Sequence, residues 1–175
     1  MTYRAINFRR PAVATLILLI CFLAAGCTKR TGSSVNSGSW TLENNQRAKL
    51  ADYKGKVLVL DFYATWCEPC RVETPHLVQL QSKYADKGLQ VVGLNVGGED
   101  DRAQVPGFAK EFGIQYPLAF PDDDVVDQYL SDDQSIPQAF VFDRDGNLVK
   151  RLIGYSPQSG AELDDAVSAA ITKPN

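Results

Sequence analysis

Histidine and methionine are nearly missing from this chain: His76 and Met1 are the only ones, and cysteine occurs four times. One histidine and a single CxxC pair fall short of the ligand set that a structural zinc site takes at ordinary spacing. Attachment of a c-type haem needs histidine directly after the second cysteine, where Arg71 stands. Positive charge is short as well. The formal net charge is −3, without the basic face that nucleic acid demands, although a neutral or basic partner remains open. Phosphate-loop spacing is absent, so Gly97-Gly98 reads as a turn, and no internal repeat is present.

No acidic residue precedes Glu43, whereas Arg4, Arg9 and Arg10 stand ahead of an apolar run from Pro11 to Gly26. That is the layout of a secretory signal. At about 16 residues the run is shorter than the roughly 20 needed to cross the hydrocarbon core. It ends in "LAAGC" (Leu23 to Cys27), which resembles the bacterial lipoprotein lipobox. The resemblance implies cleavage before Cys27 and lipidation of that cysteine, with an uncleaved anchor and ordinary cleavage as alternatives. Residues 1–26 are then a signal peptide, 27–39 a lipidated tether and 40–175 one domain. The tract "TKRTGSSVNSGS" is too polar to offset its chain entropy by burial, so it reads as a flexible leash.

Cys21 leaves with the signal and Cys27 carries lipid, so Cys67 and Cys70 are the thiols that remain. A bridge between residues three apart closes a small loop and removes little unfolded-state entropy, which makes a poor staple. The pair reads instead as a reagent.

Its surroundings suit that reading. "VLVLDFYA" (Val57 to Ala64) is a nearly continuous apolar run, expected as a central strand covered on both faces. "EPCRVETPHLVQLQSKYA" follows as a helix closed by Lys87-Gly88. Leu89 to Val96 forms a second buried strand, and "GGEDD" is a polar loop opening a helix from about Arg102 to Phe112. Pro117 to Phe120 is a short strand, "DDDVVDQYL" a short helix, and "QAFVFDRDGNLVKRLIG" a hairpin turning around Asp143 to Asn147. Glu162 to Ile171 makes a closing amphipathic helix. The alternation predicts an α/β sandwich, a mixed sheet with helices on both faces.

"VLDFYATWCEPC", Pro75 in the following helix, "SIPQAF" and the "FDRDGNLV" hairpin together resemble the thioredoxin superfamily. The extra segment before "SIP" is similar to the membrane-anchored TlpA/ResA-like branch. The resemblance spans about residues 40 to 172 and implies a thioredoxin-like three-layer fold and thiol-disulfide oxidoreductase activity.

Cys67 lies where strand gives way to helix, so the free N–H groups of the first turn favour its thiolate, which marks it as the nucleophile. Cys70, one turn on, is the resolving thiol. Two carboxylates are candidates for taking its proton. Asp61 matches the buried aspartate of ordinary thioredoxins, and Glu73 the active-site glutamate of ResA-like proteins. Having both is a departure, because a neutral residue often stands at the Asp61 position in that branch. The resemblance also implies a cis-proline at Pro137 facing the site, with Ile136 lining a docking groove. Trp66 shields the site, and Glu68 and Pro69 tune the potential and meet substrate. Gln138 replaces a threonine common after that proline, a change bearing on substrate preference.

The expected protein is an exported, lipid-tethered reductant of protein disulfides, apocytochrome c cysteines among the candidates. It takes electrons from a membrane donor and needs no bound cofactor or metal. Two rivals stand beside it. One is a Cu(I) carrier using both thiolates, weakened by the lack of a downstream methionine. The other is a thiol peroxidase, weakened by Ala64 where such enzymes usually set threonine. His76 reads as a satisfied surface histidine. The acids Asp122 to Asp124 and Asp132-Asp133 read as caps and solvated faces.

Overall fold

The computed structural model describes residues 38–173. The signal segment, Cys27 and the tether as far as residue 37 lie outside the described residues. Ser39, read as the last tether residue, already belongs to the first strand.

The chain opens with a short hairpin, β1 (Ser39–Leu42) and β2 (Arg47–Lys49), then a 3-10 turn (Leu50–Tyr53) leading to β3 (Val57–Tyr63). Helix α1 (Glu68–Tyr84) and β4 (Leu89–Asn95) follow. A single turn, α2 (Glu99–Arg102), precedes α3 (Val105–Phe112) and β5 (Leu118–Pro121). The chain closes with α4 (Asp123–Leu130), β6 (Gln138–Phe142), β7 (Leu148–Ile153) and α5 (Pro157–Thr172). The seven strands form one sheet in the order β2-β1-β5-β4-β3-β6-β7. β3, β4 and β5 run parallel, and the remaining pairings are antiparallel.

β3 lies inside the sheet, between β4 and β6, and every one of its residues is buried. Side chains alternate along a strand, so Val57, Val59 and Tyr63 pack with α1, α3 and α5 through Leu77, Leu80, Phe108, Leu163 and Val167. Leu58, Leu60 and Phe62 face the other way, onto Trp40 and the α4 residues Val125 and Leu130. Each such side chain contributes roughly 1.5–3 kcal/mol on full burial. Helices therefore cover both faces of the mixed sheet, the architecture expected from the alternation.

Three segments differ from the sequence reading. The stretch read as the "GGEDD" loop forms the single turn α2, and the helix expected from about Arg102 begins at Val105, with Pro106, which has no N–H to continue a ladder from α2, in its first turn. α5 starts five residues before Glu162, at Pro157, where Ser156 and Ser159 cap one another reciprocally. The β1–β2 hairpin was not anticipated, since its strands are too short to show a period.

Candidate active site

The last buried residues of β3 lead into a tight turn in which the Cys67 N–H donates to the Ala64 carbonyl at 3.2 Å. Cys67 is the N-cap of α1, and its Sγ accepts the Cys70 backbone N–H at 3.3 Å. The sulfur thus takes the place of a capping oxygen, against the positive end of the helix. Pro69 in the first turn costs the helix nothing, because N–H groups there have no intrahelical partner. Cys67 and Cys70 are joined as a disulfide with Cα atoms 5.3 Å apart. Cys67 keeps 5% of its surface exposed and Cys70 1%, so the first cysteine is the more accessible residue.

The flanking residues divide sharply. Trp66, directly before Cys67, is 68% exposed. Glu68 and Pro69 are exposed beside it. Across the turn the Ile136–Pro137 peptide is cis, and the Ile136 carbonyl lies 3.7 Å from Cys67 Sγ. In the disulfide that sulfur carries no proton, so this is a contact rather than a hydrogen bond. Gln138 points away from the disulfide. Its Nε2 donates to the Asp133 and Ser135 carbonyls at 2.8 and 2.7 Å, and its Oε1 accepts from Arg151. It braces the loop ahead of the cis peptide, and Asp132 in turn pairs with Arg151.

Asp61 and Glu73 are both 3% exposed. Asp61 shares the α1-facing side of β3 with Val59 and Tyr63, and its strand neighbours are Gly93 and Ala139. Asp61 Oδ1 and Glu73 Oε2 have no hydrogen-bond partner among the described residues. Burial pushes the Asp61 carboxyl well above the ordinary carboxylate range. Glu73 is pushed up by burial and then by the nearby Asp61 charge. Tyr63 and Tyr116 share this interior, their hydroxyls raised first by burial and then by Asp61.

A second set of contacts fixes the turn. Asp101, 4% exposed, accepts the Thr65 backbone N–H at 2.9 Å, the Thr65 hydroxyl, and the Asn95 amide at 2.7 Å. Arg71 reaches the Thr65 carbonyl at 3.3 Å, pairs with Glu111 and stacks over Phe112. Asp101 and the tyrosines escaped the sequence reading. "GGEDD" looks like solvated loop, and only Gly97, whose added Cβ would stand 2.2 Å from Asp101 Oδ2, hints that a side chain closes over it.

The AhpC/TSA family profile matches residues 34–151. The chain belongs to the AhpC/TSA family of thioredoxin-fold proteins. Within it, the thiol-disulfide oxidoreductase ResA of Bacillus subtilis (strain 168) is 32% identical over 163 residues, covering 86% of this chain and 89% of the relative. ResA of Geobacillus kaustophilus is 31% identical, with 88% and 93% covered. A crystal structure of a thiol:disulfide interchange protein from Chlorobium tepidum TLS superposes with a TM-score of 0.64 at 31% identity, covering 76% of this chain and 92% of that one. This AhpC/TSA-family protein is a thiol-disulfide oxidoreductase of ResA/DsbE type, and the Cys67–Cys70 pair fits its redox motif.

Proposed function

We propose that the protein reduces disulfides of other proteins outside the cytoplasm, held to a membrane by lipid on Cys27 after removal of residues 1–26. The capping of Cys67 at the start of α1, with a buried carboxyl pair behind it, carries this reading. In the reduced protein the Cys67 thiolate attacks a substrate disulfide, forming a mixed disulfide and releasing one substrate thiolate. Cys70 gives its proton to the Asp61/Glu73 pair and attacks Cys67 Sγ. The second substrate sulfur leaves, and the internal disulfide re-forms. Two electrons pass to the substrate. A membrane donor restores the dithiol, and oxidised apocytochrome c cysteines are a candidate client.

Trp66, Glu68 and Pro69 on one side and Ile136 and cis Pro137 on the other flank Cys67, and the exposed indole offers a substrate an apolar platform. Ala64 is fully buried at the end of β3 and has no hydroxyl to offer a peroxide, which argues against the peroxidase alternative. Trapping with Cys70→Ser in the native envelope tests the reading. Mixed disulfides through Cys67 to envelope proteins support it, and an empty trap with Cys67 reduced overturns it.

A further inference from the structure

Arg71, directly after Cys70, grips the chain on both sides of Trp66. Its backbone N–H donates to the Cys67 carbonyl at 3.1 Å, and its Nη1 donates to the Thr65 carbonyl at 3.3 Å. The Thr65 N–H and hydroxyl go to Asp101, so all three polar groups of this residue, 9% exposed, are taken. The Cys67 N–H closes the turn onto the Ala64 carbonyl. Residues 65 to 67 therefore run as a strap across Arg71, with Cys67 at its end.

The guanidinium is itself held from α3. Its Nη2 pairs with Glu111, and its Cζ lies 5.0 Å from the Phe112 ring centroid and 5.7 Å from that of Phe108. One planar fork thus spans a carbonyl and a carboxylate while lying over aromatic rings, an arrangement that a lysine ammonium cannot reproduce. The Arg71 side chain is 31% exposed and that of Glu111 52%, and an ion pair so exposed adds little to stability. Its consequence is aim. Nη1 is directed at Thr65 because Glu111 and Phe112 fix the rest of the group.

Cys67 gains from that aim. Its Sγ accepts the Cys70 N–H at 3.3 Å as the N-cap of α1, and stabilisation by a helix end falls off within the first turn. A strap free to shift would carry the sulfur off this position.

We propose that Arg71 is a positioning residue for the Cys67 nucleophile: braced by Glu111 and Phe112 of α3, it holds the strap so that the sulfur stays at the start of α1. The inference rests on Cys67 being the attacking thiolate, as argued above. Arg71 exchanges no proton or electron in the reaction. Its guanidinium acts through the Thr65 carbonyl, and α3 thereby takes part in setting how readily Cys67 ionises.

The test is the pH profile of Cys67 alkylation by iodoacetamide in the reduced full chain, read by mass spectrometry across pH 5 to 9 for wild type, Arg71→Ala and Glu111→Ala. Asp61 on β3, Glu68, Cys70 and Glu73 on α1 and Asp101 on α2 are the other ionisable groups of the site, and both variants leave them unchanged. Each variant raises the midpoint by about half a pH unit, which lowers the thiolate fraction at pH 7 about twofold. Glu111→Ala decides between aim and charge. Loss of a negative charge by itself favours the thiolate and lowers the midpoint, whereas loss of the brace raises it. A midpoint that falls or stays unchanged in Glu111→Ala, or stays at the wild-type value in Arg71→Ala, overturns the proposal and leaves Cys67 as the nucleophile. A wild-type midpoint at the ordinary thiol value of about 8.5 overturns the reading of Cys67 as the activated thiol, and the proposal with it.

Discussion

The Asp101 carboxylate receives the backbone N–H of Thr65, 36 positions earlier, at 2.9 Å, and so pins the turn that carries Cys67. Burial alone would raise this acid, but the Thr65 and Asn95 donors hold it below its ordinary value. Asp101→Asn cannot accept from all three donors. It loses about 1–3 kcal/mol in urea unfolding at pH 7 and slows attack on a peptide disulfide. A carboxyl with a depressed folded pKa stabilises above the ordinary carboxylate range. The deficit therefore shrinks as pH falls below that range. Equal stability of variant and wild type at pH 7 rules the anchor out.

Asp61 and Glu73 have the opposite sign. Their folded pKa values are raised by burial, so their contribution is fully present below the ordinary carboxylate range and is lost as pH rises through the folded values. Asp61→Asn and Glu73→Gln are each more stable than wild type above neutral pH, by about 1–3 kcal/mol, while product release slows. Thermal melts between pH 5 and 9 measure the effect. Parallel curves for wild type and both variants would remove the burial argument.

At the β6–β7 turn, Asp143 is held down to about 2, first by the Asn147 backbone N–H and then by Lys173. It accepts from the N–H groups of Asp145 and Asn147, with Gly146 in the left-handed region completing the turn. Asp143→Ala costs about 1 kcal/mol at pH 7. The penalty fades as pH falls from about 4 toward about 2, because the wild type loses its carboxylate there. Chemical unfolding at pH 7 and at pH 2.5 separates this from a pH-independent packing loss.

In the reduced protein, iodoacetamide at pH 7 modifies Cys67 at least about tenfold faster than Cys70, since Cys67 caps α1 and retains more surface. Mass spectrometry of partially alkylated protein reads the ratio directly. Equal labelling at the two positions contradicts the assigned order of attack.

Much of this was legible in the primary sequence. The nearly continuous apolar run of β3, the turn residues Asp143 to Asn147 and the CxxC spacing are local signals, and each appears where its pattern placed it. The second half of α5 showed through its apolar face, whereas its capped start has no such period. The roles of Asp101 and Tyr116 were hidden because they arise from contacts between distant segments. An acid in "GGEDD" reads as solvated until Thr65 and Asn95 are folded over it. His76 was read by its surface character, and its two partners come from segments 79 and 88 residues away.

The first strand is bonded on both sides, to β2 and to β5, and Ser39 at its head holds Asp122 at the start of α4. Any pull transmitted along the polypeptide ahead of Ser39 enters the domain at β1, with β5 and β4 standing between it and β3. The point where the preceding chain joins the sheet and the strand that aims Cys67 are thus two intervening strands apart, so a disturbance at Ser39 reaches the site only through β5 and β4.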